Sequence, residues 1–571
     1  MKSLFFYKNY VICLLGIYLI ILMHIYQPNM GGSGLDLPGN IVGWLMITGI
    51  FFLAVAFLPG YRKLVISRSL TLYIGAAFLL AIPLLYPEVR WINISGRMLG
   101  LAGGIVLYAV LQQCHVIKKN RTLLLSFILL SVWIEACYAL LQLFVFKAGN
   151  WMEFVPGAGA YGIFQQRNVL ASYIATGSGI AAYLFTGRFT GGLYCSRRSF
   201  LHSAFLQKIT DAALLLSVFL FSFLIVMLSS RIGYLGEIAA IAVLLGVFGK
   251  KNPARAVLIL CAVLAGGLTA KFALPDDWLK TLAHEDSNVQ RMVMIKQSFV
   301  MIAAKPWLGW GYGGFEYHFQ HFLAAQQPAI PNYGLVKHPH NELLFWWVEG
   351  GIVALAGMVM LGAGYLQPLF SAFSRERLAL WSLTLPVALH TMTEYPLYQS
   401  VAHYVVLILL LVMADSFRHR SVVFLSQEPR HFSGIRVIAL MGLAGGMMFF
   451  ITGLQTNNVL TMAERNGLRD FSQAQKLMNP HVQWQRFEFD RHVHQLMVFN
   501  ITGDARHLLA YDAWAEKYSL THVDPNVYLT RAKIARVLHN DIKAQELYRE
   551  AKRLTPISRH GMVNLLKPAE G

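Results

Sequence analysis

The chain has 571 residues, of which 56% are hydrophobic and only 13% are charged. Soluble domains carry charged residues at about a quarter of their positions, so this composition excludes a soluble multidomain protein. The formal net charge of +19 does not indicate nucleic-acid binding, because the basic residues lie in short segments between apolar runs. The five cysteines form no CxxC pair, which argues against a disulfide framework or a thiolate metal site.

Apolar runs long enough to cross a bilayer recur over the first 454 residues. The N-terminal run is predicted to be a retained span, because no clear small-residue cleavage site follows it. We therefore predict an all-α fold, a polytopic transmembrane helix bundle of about 12–13 spans. The predicted spans lie near residues 9–26, 41–59, 70–86, 98–114, 122–146, 169–187, 212–228, 232–248, 256–273, 342–366, 378–394, 400–416 and 437–454.

Lysine and arginine residues are concentrated in alternate loops between these spans. Because cytoplasmic loops carry an excess of these residues, the N-terminus is predicted to lie inside. Thirteen spans then put the C-terminal tail outside, together with a large loop before the tenth span. In chain order we expect an N-terminal bundle (1–272), an outside loop (273–341), further membrane helices (342–454) and a small helical outside domain (455–571).

The tail is rich in charged residues and carries apolar residues at helical spacing. Its stretches 527–538 and 544–556 predict a helix pair that resembles one tetratricopeptide-like unit. A small helical domain is the broader interpretation of the same pattern.

The outside loop ends in the sequence His338-Pro-His-Asn-Glu342. Pro339 favours a helix that begins after it, with Asn341 as the N-cap and Glu342 in the first turn. His340 then lies just before the helix. We predict that it is a general base, because the ordinary pKa of histidine is close to physiological pH. A hydrogen-bond network at the membrane surface is the alternative, and for His338 we favour that alternative.

Glu349 lies seven residues after Glu342, so both carboxylates share one helical face. It is a candidate for orienting the acceptor or the histidine, and a structural role is equally compatible with its position. A zinc site is a rival hypothesis. Its four ligands would be His318 and His321, which lie near Glu316, together with His338 and His340. The spacing is not specific, and we predict no metal.

Arg231 interrupts two apolar runs and leaves almost no room for a loop. We expect it at the outer mouth of the bundle, where its planar guanidinium suits phosphate oxygens. A turn arginine whose side chain extends to the membrane surface is the alternative. Arg291 is a second outward cation in a helical segment, and Lys296 is a weaker candidate because lysines of such segments are usually solvated.

Gln166 and Asn168 close the earlier outside loop just before a span. Their amides could bind sugar hydroxyls, or Asn168 could simply cap the helix predicted to begin at Val169. Glu394 lies with His390 on one helix face at the outer end of a later span. Glu135 is an intramembrane carboxylate with no obvious partner in the sequence.

In chain order, these motifs resemble the O-antigen ligase and O-antigen polymerase superfamily of membrane glycosyltransferases. The matching elements are Ser230-Arg231-x-Gly233, Arg291, His338-x-His340-Asn341-x-x-Leu344 and Glu349-x-Gly351. Gln166-x-Asn168, Glu394-Tyr-Pro396 and the appended outside domain resemble the protein O-oligosaccharyltransferase branch, the pilin-glycosylation type. Val169 departs from that branch, whose members often carry a histidine there.

The resemblance implies transfer of a preassembled glycan from a polyprenyl (undecaprenyl) diphosphate carrier, on the periplasmic face of a bacterial inner membrane. The acceptor it implies is a Ser or Thr hydroxyl of a periplasmic protein such as a pilin, and no cofactor is needed. His340, Arg231, Arg291 and Glu349 are then the catalytic candidates. The candidates for substrate binding are Gln166, Asn168, Lys296, His338, Asn341 and Glu394.

Other functions share these motifs. A ligase acting on lipid A-core sugar and an O-antigen polymerase differ from the protein ligase only in the acceptor. A transporter of lipid-linked glycan belongs to another class. It predicts discontinuous helices and internal repeats, and no convincing repeat is present in the sequence.

Overall fold

The computed structural model describes residues 2–57, 63–114, 120–187, 204–274, 285–326, 334–370, 374–415, 420–424 and 429–554. The last two residues of the predicted helix pair, 555 and 556, lie outside this range.

The first half of the described chain is helical apart from one short strand. Its elements are α1 (Lys2–Ile20), α2 (Pro38–Phe57), β1 (Lys63–Ser67), α3 (Arg68–Ala81), α4 (Trp91–Gln113), α5 (Arg121–Phe144), α6 (Arg167–Gly187), α7 (Ala204–Met227), α8 (Arg231–Phe248) and α9 (Pro253–Ala273).

The second half continues with further helices and a second strand. Its elements are α10 (Glu285–Ala304), α11 (Phe315–Ala325), α12 (Glu342–Phe370), α13 (Arg375–Ser382), α14 (Leu385–Thr391), α15 (Pro396–Gln399), α16 (Val401–Ala414), β2 (Arg420–Phe424), α17 (Pro429–Arg465), α18 (Trp484–Thr502), α19 (Ala505–Ser519), α20 (Pro525–Val537) and α21 (Asp541–Leu554).

Within the described residues, 10 helices are long and apolar enough to cross a membrane, and Asn9–His24 and Val401–Ala414 form shorter apolar helices. The predicted all-α polytopic fold is confirmed. The span predicted near 378–394 is instead two short helices, α13 and α14. Pro386 lies in the first turn of α14, where its missing N–H is tolerated although it could not continue the hydrogen bonds of α13.

Two of the predicted loops contain strands that the sequence analysis did not predict. β1 pairs with β2 in an antiparallel two-stranded sheet, with Lys63 opposite Phe424 and Ser67 opposite Arg420. The β-branched residues Val65 and Ile66 in β1, and Val422 and Val423 in β2, favour this conformation.

One compact unit contains Met1–Gly75, Gly100–His284 and Val359–Phe450. Helix α6 is its most enclosed element, because the whole apolar window of Arg167–Thr186 is buried. The small residues Ala171, Ala175 and Gly177 allow neighbouring helices to approach closely. The buried window runs from Val169 to Thr186, whereas Arg167 and Asn168 at the start of the helix are half-buried.

The other compact unit contains Ala76–Leu99, Glu285–Met358 and Ile451–Gly571. Helices α10, α11 and the start of α12 share an apolar core that includes Met301, Phe319 and Val348. The predicted helix pair is present as α20 and α21. Within this unit, Val523 and Tyr528 of the tail pack against Tyr317 of α11, so the tail helices contact the outside-loop segment directly.

Helix α12 is broken at Gly351, whose φ of 64° and ψ of −155° are accessible only to glycine. The preceding loop, residues 305–314, satisfies the backbone groups that the break releases. Trp310 N–H donates to Val348 O (2.9 Å), and Gly311 N–H donates to Glu349 O (2.9 Å). Glycine is required at Gly309, where a Cβ would lie 2.5 Å from Glu349 O. The loop therefore closes the break with its own backbone.

Candidate active site

The first unit contains an amide cluster, formed by Gln166, Asn168, Ser230 and Glu394. Asn168 Nδ2 donates to Glu394 Oε1 (2.6 Å), and Asn168 Oδ1 accepts a hydrogen bond from Ser230 Oγ (2.8 Å). Gln166 Nε2 donates to the other carboxylate oxygen, Glu394 Oε2 (3.2 Å). Glu394 is only 3% exposed. Gln166 and Asn168 thus bond one buried carboxylate, and Asn168 links it to Ser230.

The position of Asn168 differs from the simplest expectation. Helix α6 begins at Arg167, two residues earlier than predicted, so Asn168 lies inside the first turn and does not precede the helix. Its side chain bonds Glu394 and Ser230. A capping role for Asn168 is therefore wrong, and the residue links α6 to two other segments.

Arg231 begins α8 directly after the amide cluster's Ser230. The Ser230 side chain accepts a hydrogen bond from Gly233 N–H (3.4 Å) and so caps the helix. Ser229 adopts a φ of 50°, a left-handed conformation that is costly for a residue other than glycine. Because Ser230 both caps α8 and donates to Asn168, the half-buried Arg231 is held one residue away from the amide cluster.

A chain of hydrogen bonds continues inward from Glu394. Its Oε2 lies 3.2 Å from His390 Nε2, and His390 Nδ1 lies 2.9 Å from Ser172 Oγ. Ser172 Oγ is 3.3 Å from His403 Nε2, and His403 Nδ1 is 2.9 Å from Ser400 Oγ. The five side chains are buried. They form one polar path through the unit.

Glu135 has a partner that the sequence did not suggest. Its Oε1 lies 2.7 Å from His24 Nδ1, and its Oε2 accepts a hydrogen bond from Ile163 N–H (3.0 Å). His24 Nε2 lies 2.9 Å from the carbonyl oxygen of Leu19, so both ring nitrogens of His24 have a hydrogen-bond partner. The pair fixes the loop that leads to Gln166.

The second unit contains the histidine turn, residues His338 to Glu342. His340 adopts a φ of 56°, and its backbone N–H donates to His338 Nδ1 (2.8 Å). Because Nδ1 accepts, the ring proton of His338 is on Nε2, which lies 3.3 Å from Glu342 Oε1. Trp346 Nε1–H donates to Glu342 Oε2 (3.2 Å). His338 therefore holds the strained backbone of His340.

Asn341 caps α12 as predicted. Its Oδ1 accepts a hydrogen bond from Leu344 N–H at 3.0 Å, and the helix begins at Glu342. His340 lies immediately before this cap and is half-buried.

Glu349 belongs to a second group of the same unit, the arginine cluster, formed by Arg97, Tyr312, Phe345, Trp346 and Glu349. Arg97 and Glu349 form a buried ion pair. The guanidinium carbon lies 4.1 Å from the ring centre of Phe345 and 4.6 Å from that of Trp346. Glu349 Oε1 also accepts from the N–H of Phe315, the first residue of α11 (3.0 Å). Glu349 thus links Arg97 to the start of α11.

Arg291 and Lys296 both lie on α10, where Arg291 is half-buried and Lys296 is exposed. Five residues along a helix separate two side chains by about 140° around the axis, so the two cations face different directions. Their roles in binding remain predictions.

The residues of the rival zinc hypothesis have other partners. Glu316 accepts a hydrogen bond from Val523 N–H (3.0 Å) and lies 3.5 Å from His522. Burial, together with the nearby charges of Arg90 and Lys305, lowers the pKa of His318 to about 3. Within the described residues, no group of three or more His, Cys, Asp or Glu side chains is placed to hold a metal ion.

Family models match the chain over most of these elements. The model described as O-antigen ligase matches residues 216–359, and the one described as virulence factor membrane-bound polymerase, C-terminal, matches 378–565. A protein glycosylation ligase model matches 160–185. The chain belongs to the O-antigen ligase and polymerase superfamily. No curated protein matches it. The matched families indicate a membrane glycosyltransferase-like enzyme.

Every candidate residue of this superfamily member lies inside a matched region. The ligase match contains Arg231, Arg291, Lys296 and the residues from His338 to Glu349, the glycosylation-ligase match contains Gln166 and Asn168, and the polymerase match contains Glu394. Arg97, Ser172 and His403 were not among the predicted site residues. For Ser172 and His403 the available signal was a polar side chain within an apolar run, whereas Arg97 lies just before the predicted span 98–114.

Proposed function

We propose that the chain transfers a preassembled glycan en bloc from a polyprenyl diphosphate carrier to a Ser or Thr hydroxyl of a periplasmic protein such as a pilin. The observation that carries the proposal is the convergence of Gln166 and Asn168 on Glu394. These are the elements that resemble the protein-ligase branch, and the first two lie within the protein glycosylation ligase match.

In this reaction the acceptor oxygen attacks the anomeric carbon of the first sugar, and His340 takes the hydroxyl proton. The bond from that carbon to the diphosphate oxygen breaks, and polyprenyl diphosphate leaves. Arg231 and Arg291 bind the leaving group, whose negative charge grows in the transition state. The polyprenyl diphosphate is already activated, so the chemistry calls for no nucleotide.

The histidine turn supports the role of His340 as base. A left-handed backbone at a residue other than glycine is retained only where its surroundings hold it, and such strain concentrates at functional sites. Here His338, Glu342 and Trp346 hold that backbone by successive hydrogen bonds. Glu349 acts as a positioning residue, because it bonds Arg97 and the start of α11.

An O-antigen polymerase is the second candidate, favoured by the match of residues 378–565 to a membrane-bound polymerase. The transporter hypothesis gains little from the broken α12. A discontinuous helix that binds substrate leaves backbone groups open to the substrate. At Gly351 the carbonyls of Val348 and Glu349 are bonded to the preceding loop.

The decisive experiment is transfer by the purified chain in lipid nanodiscs, with an undecaprenyl-diphosphate-linked oligosaccharide as donor. Three acceptors are offered separately: a pilin, lipid A-core and a second copy of the donor. Mass spectrometry then identifies the product. We expect a glycosylated pilin. Product on lipid A-core alone, or lengthened donor alone, would replace the protein ligase by one of its alternatives, and no product would favour the transporter.

His340→Ala should lower kcat about a hundredfold or more, as removal of a general base does. His481→Ala is the matched control, since His481 is exposed and lies in the tail. Arg231→Ala should lower transfer while Arg506→Ala, at another exposed position, should not. Full activity of His340→Ala at a normal membrane level would exclude His340 as the base.

A further inference from the structure

A cleft of about 50 Å³, partly open to solvent, lies in the first unit between the loop after α1, the start of α2, the segment 163–165 and the segment 399–402. Its lining combines apolar and aromatic groups such as Phe164, Tyr18 and Leu37 with the amides of Gln27, Gln165 and Gln399. Binding clefts for small polar molecules have this composition, a mostly apolar surface with a few polar groups that fix orientation.

The lining contains no Lys, Arg, His, Asp or Glu among the residues that the structure describes. The amide cluster and the arginine cluster each contain a glutamate, so this cleft differs from both in having no ionisable side chain in its described lining. An anionic group that entered it would lose its hydration without gaining a counter-charge.

Most of the amides around the cleft are occupied by structural hydrogen bonds. Asn40 donates to the carbonyls of Gly34 and Tyr398 and accepts from Val401 N–H. Gln165 Nε2 donates to Asn29 Oδ1 at 2.9 Å. These bonds give the walls of the cleft a fixed shape.

Gln399 differs from these amides. Its Oε1 is buried and receives no hydrogen bond from any residue of the described ranges. A buried carbonyl oxygen is costly when no donor reaches it, so this atom calls for a donor from a ligand. A hydroxyl or amide group supplies such a donor, whereas a lipid acyl chain has none.

The cleft is connected to the amide cluster by bonds already described. Ser400, which lines the cleft, bonds His403, and the path continues through Ser172 and His390 to Glu394. On the other wall, Gln165 adopts a φ of 58° directly before Gln166 of the amide cluster. Arg231, the proposed diphosphate ligand, is one residue from Ser230 of that cluster.

We propose that this cleft binds the uncharged sugar ring that is attached directly to the diphosphate of the donor, and that it selects against acidic sugars at that position. Gln399 accepts a hydrogen bond from a hydroxyl or acetamido N–H of the ring, and the apolar side of the ring packs on Phe164. The inference rests on the proposed transfer function and adds the substrate class to it.

The test uses two synthetic undecaprenyl-diphosphate-linked disaccharides that differ only in the first sugar, N-acetylglucosamine or the corresponding uronic acid. For each donor, kcat/KM is measured with the purified full chain. The native chain should prefer the neutral donor about tenfold or more, because burial of an unpaired carboxylate is costly. Gln399→Lys should reduce or reverse this ratio, and Gln399→Glu should increase it.

The ratio of the two donors cancels any loss of folded enzyme, and the two Gln399 variants shift it in opposite directions. Gln545→Lys, an exposed position on α21, is the matched control and should leave the ratio unchanged. Equal use of both donors by the native chain, or the same ratio in both Gln399 variants, would overturn the cleft assignment while leaving the transfer function intact. No transfer of either donor by the native chain would overturn the proposed function and this inference with it.

Discussion

The amide cluster and the arginine cluster both bury a glutamate, but they stabilise it differently. Glu394 accepts hydrogen bonds from the side-chain amides of Asn168 and Gln166, and its Oε2 lies 3.2 Å from His390 Nε2. Glu349 is paired with the guanidinium of Arg97, enclosed by aromatic rings. Amide hydrogen bonds are individually modest and replaceable, whereas a buried charge depends strongly on its partner. The comparison predicts that Glu394 tolerates the loss of one partner better than Glu349 tolerates the loss of Arg97.

The largest effect should come from breaking the ion pair. Arg97→Leu leaves Glu349 as a buried charge without its guanidinium, and such losses cost about 3–5 kcal/mol. We expect a large fall in the unfolding midpoint of the purified chain in mild detergent. The double variant Arg97→Leu, Glu349→Leu should lose less than either single one, because no buried charge remains.

Arg506→Leu is the control for this experiment, since the Arg506 side chain is 88% exposed although it contacts Asp504. It should leave the midpoint unchanged. A double variant less stable than both single variants would show that the arginine cluster is not held together by charge, and would remove the contrast with the amide cluster.

A smaller effect is expected in the amide cluster. Asn168→Leu removes a donor to Glu394 and the acceptor for Ser230, at a cost of about 1–3 kcal/mol for polar groups left unsatisfied. Transfer should fall more than stability does, because the cluster holds Arg231. Asn466→Leu, at an exposed position, is the control for both measurements. Loss of stability without loss of transfer would assign the amide cluster a purely structural role.

The smallest effect concerns pH and the contact of the tail with α11. Burial raises the pKa of Glu316, but the hydrogen bond and charge of His522, with the charge of Lys337, outweigh it and bring the pKa below its ordinary value. A carboxyl whose pKa is lowered on folding contributes stability above its unfolded pKa and loses it as the pH falls through the folded value. The contact should therefore weaken as the pH falls below the ordinary pKa of glutamate.

Hydrogen exchange of α11 and α21 between pH 7 and pH 3.5 (about the range that brackets an ordinary glutamate) measures this weakening. Glu316→Gln should reduce the pH dependence, and Glu546→Gln, at an exposed position of α21, should not. An unchanged pH dependence in Glu316→Gln would assign the acid sensitivity to another group.

Much of the membrane bundle was predictable, because a long apolar run in the sequence indicates a membrane span. The cap at Asn341 was predictable as well, since capping is a local event within a few residues. The division of the span near 378–394 was less visible, because its two short helices have the same apolar composition as one long helix.

The partners inside the two units were not predictable from local pattern. Arg97 resembled an ordinary loop arginine near a span, and Glu135 had no visible partner until His24 was located 111 residues away. Such contacts depend on which helices become neighbours, and a single sequence contains no direct record of that. Gln166, Asn168 and Glu394 were predicted as motifs of the same family. Their hydrogen bonds to one another were not predicted.

The loop that closes the break in α12 also restricts how this chain can be altered. Surface loops usually accept extra residues, which makes them the usual places for epitope tags and fluorescent labels. Here Pro306 O accepts from Ile352 N–H, and Trp310 and Gly311 must meet two successive carbonyls of the helix. One inserted residue between Pro306 and Trp310 would move both donors out of register. The length of the loop 305–314 is therefore fixed by its hydrogen bonds to the helix, and tags should be inserted elsewhere in the chain.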